Sequence, residues 1–339
     1  MSLIREIKEQ VLQGNQIAKA EALQLYGEPL EELCLAADEI RYQFCGNRFD
    51  LCTIINGKSG RCSENCKYCA QSACYHTEIE EYPLLAVEKI KEQAKYNEER
   101  GVLRYSIVTS GKALNDTEVE HVCESVREIH KESKIKVCVS GGLLNETQFR
   151  KLKQAGITRV HNNLETSRQN FPNVCTTHTY EQRVNNIHML QRLGFEICSG
   201  GIIGMGETWE DRLDMAISLA ELGIDSIPLN ALMPIPGTPL EHLPRLSEDD
   251  ILRTVAFFRY INPLANIRLG AGRALLTNDG ETAFKAGASA TITGNMLTTV
   301  ACATIRSDRK MLNHMGRDIK PEYMTDEEAA AIDARAEQA

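Results

Sequence analysis

Eight short apolar, β-branched runs separated by longer amphipathic stretches constrain this chain more than any other feature. The runs are LCTIIN (51–56), LRYSIVTS (103–110), IKVCVSG (135–141), TRVHNNL (158–164), FEICSGGII (195–203), SIPLNAL (226–232), NIRLGAG (266–272) and ATITG (290–294). Helix-like stretches lie between them near 85–100, 115–132, 145–155, 180–193, 209–222, 247–259 and 279–287, several opened by capping residues such as Asn115, Asn145 and Ser247. Strands joined by helical crossovers run parallel, so the alternation predicts an α/β fold of the (β/α)8, TIM-type barrel class. A doubly wound open sheet shares the alternation. Its phosphate-loop and dinucleotide fingerprints are missing, since GGIIGMGE (200–207) spaces its glycines for neither. Residues 2–45 carry apolar positions at helical spacing, among them Leu3, Ile4, Ile7 and Val11. The expected organisation is an N-terminal helical extension (1–48), the barrel (49–305) and a C-terminal helix or tail (306–339).

Composition excludes several partners. With 42% hydrophobic and 25% charged residues the chain can bury a large core. Its net charge is −9 and it carries no dense Lys/Arg block, which argues against nucleic acid and anionic membranes. No apolar run approaches the ~20 residues of a membrane span, and MSLIREIKEQ lacks the apolar core of a signal peptide, so the chain reads as cytoplasmic. A large protein in a reducing compartment has little use for disulfides, yet there are 12 cysteines. Cys34, Cys45, Cys123 and Cys302 read as small buried hydrophobes.

The rest demand a chemical reading. SGRCSENCKYCAQS, directly after the first strand, places Cys62, Cys66 and Cys69 in a C-x3-C-x2-C spacing. Thiolates so close together can wrap one metal centre. A structural zinc site wants four protein ligands, and only Cys74 and His76 stand near enough to complete one. A four-iron cubane on three thiolates instead leaves one iron open, and the loop after a barrel strand is where barrel active sites form.

NGKSGRCSENCKYCAQSACY, HNNLETS (161–167), TTHTYEQR (176–183), CSGGIIGMGET (198–208), PLNALMPIPGTPL (228–240), IRLGAGR (267–273) and TGNMLTT (293–299) together resemble the biotin synthase family of the radical S-adenosylmethionine (SAM) superfamily. The resemblance runs in order from about residue 50 to 300. It implies that Cys62, Cys66 and Cys69 hold a 4Fe-4S cluster whose open iron chelates SAM. It further implies that Tyr68 meets the adenine through its backbone, that Ser110 and Gly111 face the methionine end, that Glu165 bonds the ribose and that Arg183 pairs with the SAM carboxylate. Gly200, Ile202, Gly204, Gly206 and Glu207 fit the superfamily's G-x-I-x-G-x-x-E run, bringing backbone close to adenine. Asn163 would bridge ribose and substrate, Asn230 would be a second contact to the ureido ring of dethiobiotin, and Thr298 would hold its carboxylate. His161 stands where the family pattern has Asn.

Inward side chains of one barrel layer come from alternate strands, and Cys138, Cys198 and Arg268 fall on the third, fifth and seventh. An unpaired charge is expensive to bury, so an anionic iron–sulfur group would give Arg268 a partner. The family places an auxiliary cluster there and draws from it the sulfur inserted into dethiobiotin. The pattern's further cysteine on the second strand is Ser106 here, while Cys175 stands where the pattern has an apolar residue. We therefore expect Cys138, Cys175 and Cys198 to hold the auxiliary cluster, either a 2Fe-2S rhomb or a cubane-type four-iron cluster, with Arg268 as ligand or charge partner. The resemblance also implies a homodimer and a low-potential electron donor such as flavodoxin or ferredoxin. The competing readings are a methylornithine-forming or metallocofactor-assembling relative, and a non-catalytic zinc-knuckle protein.

Overall fold

The computed structural model describes residues 2–294 and 303–338. The eight apolar runs form β1 (Asp50–Lys58), β2 (Arg104–Thr109), β3 (Lys136–Ser140), β4 (Arg159–His161), β5 (Glu196–Cys198), β6 (Gly201–Ile203), β7 (Ser226–Ala231), β8 (Asn266–Leu269) and β9 (Ala290–Ile292). All pair in parallel in the order β5-β4-β3-β2-β1-β9-β8-β7-β6, and β5 also pairs with β7, which closes the ring. Because β5 and β6 are two halves of one stave, this is an eight-staved barrel with its helices outside, as the alternation predicts.

The interruption in the fifth stave has a steric cause. A Cβ on Gly200 would sit 2.0 Å from the Pro228 carbonyl oxygen, and one on Gly201 would sit 2.5 Å from that of Glu165. Two glycines let the backbones of β4 and β7 close in from either side, and Leu164 and Glu165 both donate their N–H groups to the Gly200 carbonyl. Glu165 adopts φ +71°, a left-handed conformation that ends the extended run. The expected helix over 279–287 shrinks to Glu281–Phe284, because Asn278, Asp279 and Gly280 all have positive φ.

At the N-terminus, helices Leu3–Leu12, Lys19–Gln24 and Leu30–Cys45 form the extension, and the third packs on the barrel helix Glu248–Ile261. Ile4, Ile7 and Val11 are buried in the same apolar core as the barrel helices, so the extension covers one side of the barrel. After the barrel, helices Ile305–His314 and Asp326–Gln338 pack on each other. Asp308 is fully buried there and accepts from both terminal nitrogens of Arg273, at 2.6 and 2.9 Å, tying the first of these helices to the loop after β8. Among the described residues no helix is long and apolar enough to cross a membrane.

Candidate active site at the barrel mouth

The loop after β1 carries Cys62, Cys66 and Cys69. Cys62 and Cys66 are buried and Cys69 is half-buried, and the loop folds back on itself through Cys62 N–H to Gln71 O (2.9 Å) and Cys69 N–H to Cys66 O (3.0 Å). Burial pushes the Cys69 thiol up to about 11, partly offset by a backbone N–H from Gln71, so in the bare protein its proton is held tightly. Their spacing argues against a single ion. Tetrahedral zinc at ~2.3 Å from each sulfur would bring the sulfurs within ~4 Å of one another. These three do not lie within 4.8 Å of one another, whereas Cys66, Cys175 and His178 do.

Cys175 is therefore not where the sequence placed it. Instead of facing the barrel interior with Cys138 and Cys198, its sulfur lies within 4.8 Å of that of Cys66, 3.3 Å from His178 Nδ1 and 3.5 Å from Asn65 Oδ1. The physical reason is a stitch between two loops. Asn65 Oδ1 accepts the N–H groups of Thr176 (2.9 Å) and Thr177 (3.3 Å), and Lys67 N–H donates to Val174 O (3.0 Å). His178 bonds Glu64 Oε2 through Nδ1 at 2.5 Å, while its Nε2 accepts from Arg183 Nε at 3.0 Å. This fixes the tautomer, with the proton on Nδ1. Arg183 also donates to Asn163 O (2.9 Å) and lies 3.7 Å from Glu165 Oε1, so one buried chain of contacts joins the cysteine loop to the acidic residue of the fourth stave.

A cavity of about 290 Å³ runs from this loop into the barrel. Tyr68, Asn163, Glu165, Ile202, Asn230 and Ser106 line it, as do His161, Cys138, Cys198 and Arg268. Most of the expected site residues are thus brought together. Ser110 is buried beside the cysteine loop and donates to Gly60 O (2.7 Å). Glu207 shapes the following turn, accepting from the N–H groups of Gly204 and Met205 and pairing with Arg212. Thr298 lies outside the described residues. The amide of Asn163 accepts from Gly200 N–H and donates to Glu165, and that of Asn230 bridges Ala271 N–H and Gly201 O. Both side chains are therefore fixed in orientation before anything binds.

Deeper in, the sequence reading missed four residues. Cys52 on β1 lines the cavity with Cys138 and Cys198. The alternate-strand rule that selected Cys138, Cys198 and Arg268 also admits the first strand, so Cys52 was within its reach. Asp50, Arg104 and Arg159 are the others. Asp50 Oδ2 lies 3.0 Å from Arg268, 3.4 Å from Arg104 and 3.5 Å from Arg159, and the last two share Glu196 at 3.0 and 2.9 Å. Burial opposes the Asp50 charge, but the three guanidinium groups hold its carboxyl below the ordinary range. Three arginines face two carboxylates here, one surplus positive charge in a barrel core.

That surplus fits an anionic group among the three thiols. Arg104 NH1 is buried without a partner, and Arg268 NH2 and Arg104 Nε reach only Asp50 Oδ2. The thiols respond to the same field. Burial pushes Cys52 up to about 12, and it also raises Cys138 against the opposing charges of Arg159 and Arg104. At Cys198 burial is overcome by a hydrogen bond from His161 and by the charges of His161, Arg268 and Arg159, which bring the thiol down to about 6. One readily ionised thiol beside two reluctant ones, all under arginine, is a donor set suited to an iron–sulfur group.

A parallel barrel with a three-cysteine loop at its mouth and a cavity leading inward defines a radical SAM scaffold, and residues 58–219 match the Radical SAM superfamily. Residues 228–318 match the Biotin and Thiamin Synthesis associated domain. The chain is 54% identical to a biotin synthase of Brachyspira hyodysenteriae, covering 93% of this chain and 94% of that one, and 54% identical to a biotin synthase of Alkaliphilus metalliredigens over 92% and 98%. It belongs to the biotin synthase family. Among solved structures it is similar to a methylornithine synthase (TM-score 0.80, 21% identity, 96% and 99% of the two chains) and to the FeFe-hydrogenase maturase of Carboxydothermus hydrogenoformans (TM-score 0.78, 18% identity, 95% and 80%). Those two likenesses show a shared fold.

Proposed function

We propose that this chain converts dethiobiotin to biotin, with Cys62, Cys66 and Cys69 holding a 4Fe-4S cluster and Cys52, Cys138 and Cys198 holding the auxiliary iron–sulfur group. The observation that carries the reading is the single cavity that has Tyr68 and Glu165 toward the cysteine loop and Cys52, Cys138, Cys198 and Arg268 at its depth. When bound, the first cluster supplies the electron that cleaves SAM to methionine and a 5′-deoxyadenosyl radical, and the auxiliary group supplies the sulfur.

The chain's own residues do the positioning. Arg183, held by His178 and by the Asn163 carbonyl, presents a fixed guanidinium fork to the SAM carboxylate. Glu165 takes the ribose, its left-handed backbone turning the carboxylate into the cavity beside Asn163. Asn163 and Asn230 present amides to the ureido ring from the two staves that flank the fifth. Apolar lining from Ile54, Val108, Ile202, Leu232 and Ile292 excludes water from a radical that would otherwise be quenched. Arg268 acts as charge partner to the auxiliary group while its other donors reach Asp50 O (3.2 Å) and Thr291 O (3.1 Å).

A low-potential flavodoxin or ferredoxin as electron donor, a cytoplasmic setting and a homodimer complete the reading. Leu35 and Tyr42, on the helix Leu30–Cys45, and Leu264 nearby in sequence to its packing partner are large exposed apolar side chains that support a self-association surface.

The test is anaerobic incubation of the cluster-loaded protein with dethiobiotin, SAM and reductant, with biotin and 5′-deoxyadenosine as expected products. The Cys66→Ala variant is expected to form neither. Deoxyadenosine formed on another substrate, with no biotin from dethiobiotin, would refute the assignment.

A further inference from the structure

His161 is aligned with Cys198 across the β4–β5 ladder, where neighbouring strands lie about 4.8 Å apart. Both side chains line the same cavity from matched positions on adjacent strands, which brings the imidazole within reach of the thiol. His161, Asn163 and Glu165 line the same cavity in succession. Glu165 meets Arg183 near the cysteine loop, Asn163 lies between, and His161 meets the sulfur of Cys198. The residue that aligns with a substrate-contacting Asn of the family thus has a different neighbour in this chain.

Cys198 has one further polar neighbour. Ser226 Oγ lies 3.5 Å from its sulfur and also 3.5 Å from Arg268 Nε. Serine hydroxyl and imidazole therefore approach one thiol from the two staves that flank it. Such outer contacts orient a ligand sulfur and set how much negative charge it carries. Hydrogen bonds to the sulfurs of an iron–sulfur group are among the factors that fix its reduction potential, because they favour the more negative reduced state.

We infer that His161 is a positioning residue of the auxiliary centre: its imidazole N–H donates to the Cys198 sulfur, orients that thiolate and raises the potential of the iron–sulfur group, instead of contacting dethiobiotin. The inference rests on the auxiliary site proposed above. Replacing imidazole by a methyl removes the donor without touching Cys52, Cys138 or Cys198. Gln retains an N–H at nearly the same reach.

The experiment uses the anaerobically reconstituted holoenzyme. Wild type, His161→Ala and His161→Gln are compared for iron and sulfide content, for the midpoint potential of each cluster by redox titration followed by electron paramagnetic resonance, and for dethiobiotin affinity by equilibrium dialysis with SAM and no reductant. The expected result is unchanged iron content, an auxiliary potential shifted to more negative values in His161→Ala and restored in part by Gln, an unmoved SAM-cluster potential, and a dissociation constant for dethiobiotin within ~3-fold of wild type, under ~1 kcal/mol. An unmoved auxiliary potential overturns the inference. So does loss of the auxiliary iron in both variants, which would make His161 a ligand, or a tenfold or greater loss of dethiobiotin affinity at constant potential, which would restore the substrate contact. Wild-type protein holding iron for only one cluster would instead overturn the auxiliary site itself.

Discussion

Asp50 is the carboxylate on which three buried arginines converge, and Asp50→Asn keeps its shape while removing its charge. In the wild-type barrel Arg104, Arg159 and Arg268 face Asp50 and Glu196, and Glu196 is itself partly exposed. The substitution doubles the surplus positive charge. Breaking a buried ion pair by removing one partner costs about 3–5 kcal/mol, because the remaining charge stays desolvated. With ~2.1 cal/mol/K of unfolding entropy per residue, that loss lowers Tm by roughly 4–7 °C for a chain of this length. Urea or thermal unfolding of the cluster-free protein under argon measures it. In cluster-loaded protein the loss is expected to shrink, since an anionic iron–sulfur group supplies part of the missing charge. The pH dependence follows from the depressed carboxyl. Asp50 contributes its stability in full above the ordinary aspartate range of ~4 and loses it as pH falls through the lower folded-state value, so the gap between wild type and variant stays constant from neutrality to about pH 4 and closes below. A loss under ~1 kcal/mol in the cluster-free protein, or an equal loss in free and loaded protein, would refute the charge argument.

Two further outcomes are expected. Cys52→Ala should remove the auxiliary iron while leaving the SAM cluster, whereas Cys175→Ala should leave the auxiliary iron in place; iron and sulfide analysis with Mössbauer spectroscopy distinguishes them, and the reverse pattern would return the site to Cys175. Gly200→Ala should destabilise the barrel by at least ~2 kcal/mol, because its methyl would meet the Pro228 carbonyl backbone and overpacking against backbone has no cheap relief. Denaturation midpoints read this directly, and an unchanged midpoint would show that the fifth stave can bend away.

The staves were legible because each buried strand writes an apolar run into the sequence, and the cysteine loop was legible because its three thiols lie within eight residues. What the sequence could not show is where long loops return. Cys175 follows the fourth strand by only fourteen residues, which suggested a place beside Cys138 and Cys198. Instead the short helix Phe171–Val174 and the bonds from Thr176 and Thr177 to Asn65 carry it back over the cysteine loop. No local pattern encodes that docking. The arginines were missed for another reason. An Arg at the start of a strand ordinarily reads as a solvated end, and Arg104 and Arg159 open β2 and β4. Only the closed ring shows that both point at Asp50.

A cysteine at position 52 with serine at position 106 also has a geometric meaning for the proposed ligand set. In the β1–β2 ladder Ser106 is aligned with Ile54, and Cys52 stands two residues before Ile54, aligned with Arg104. At about 3.3 Å per residue, a ligand moved from position 106 to position 52 shifts one strand across and ~6–7 Å toward the N-terminal end of the barrel. That is the end where Asp50 and its three arginines lie, and Cys52 itself feels Arg268 most strongly among its charged neighbours. An iron–sulfur group held by Cys52, Cys138 and Cys198, as proposed above, would have one ligand deeper in the barrel than a set that used position 106, closer to the surplus positive charge. On the proposed ligand set the arginine cage and the thiol of Cys52 would belong together: each without the other would leave either a buried cation or a buried anionic group without its counter-charge.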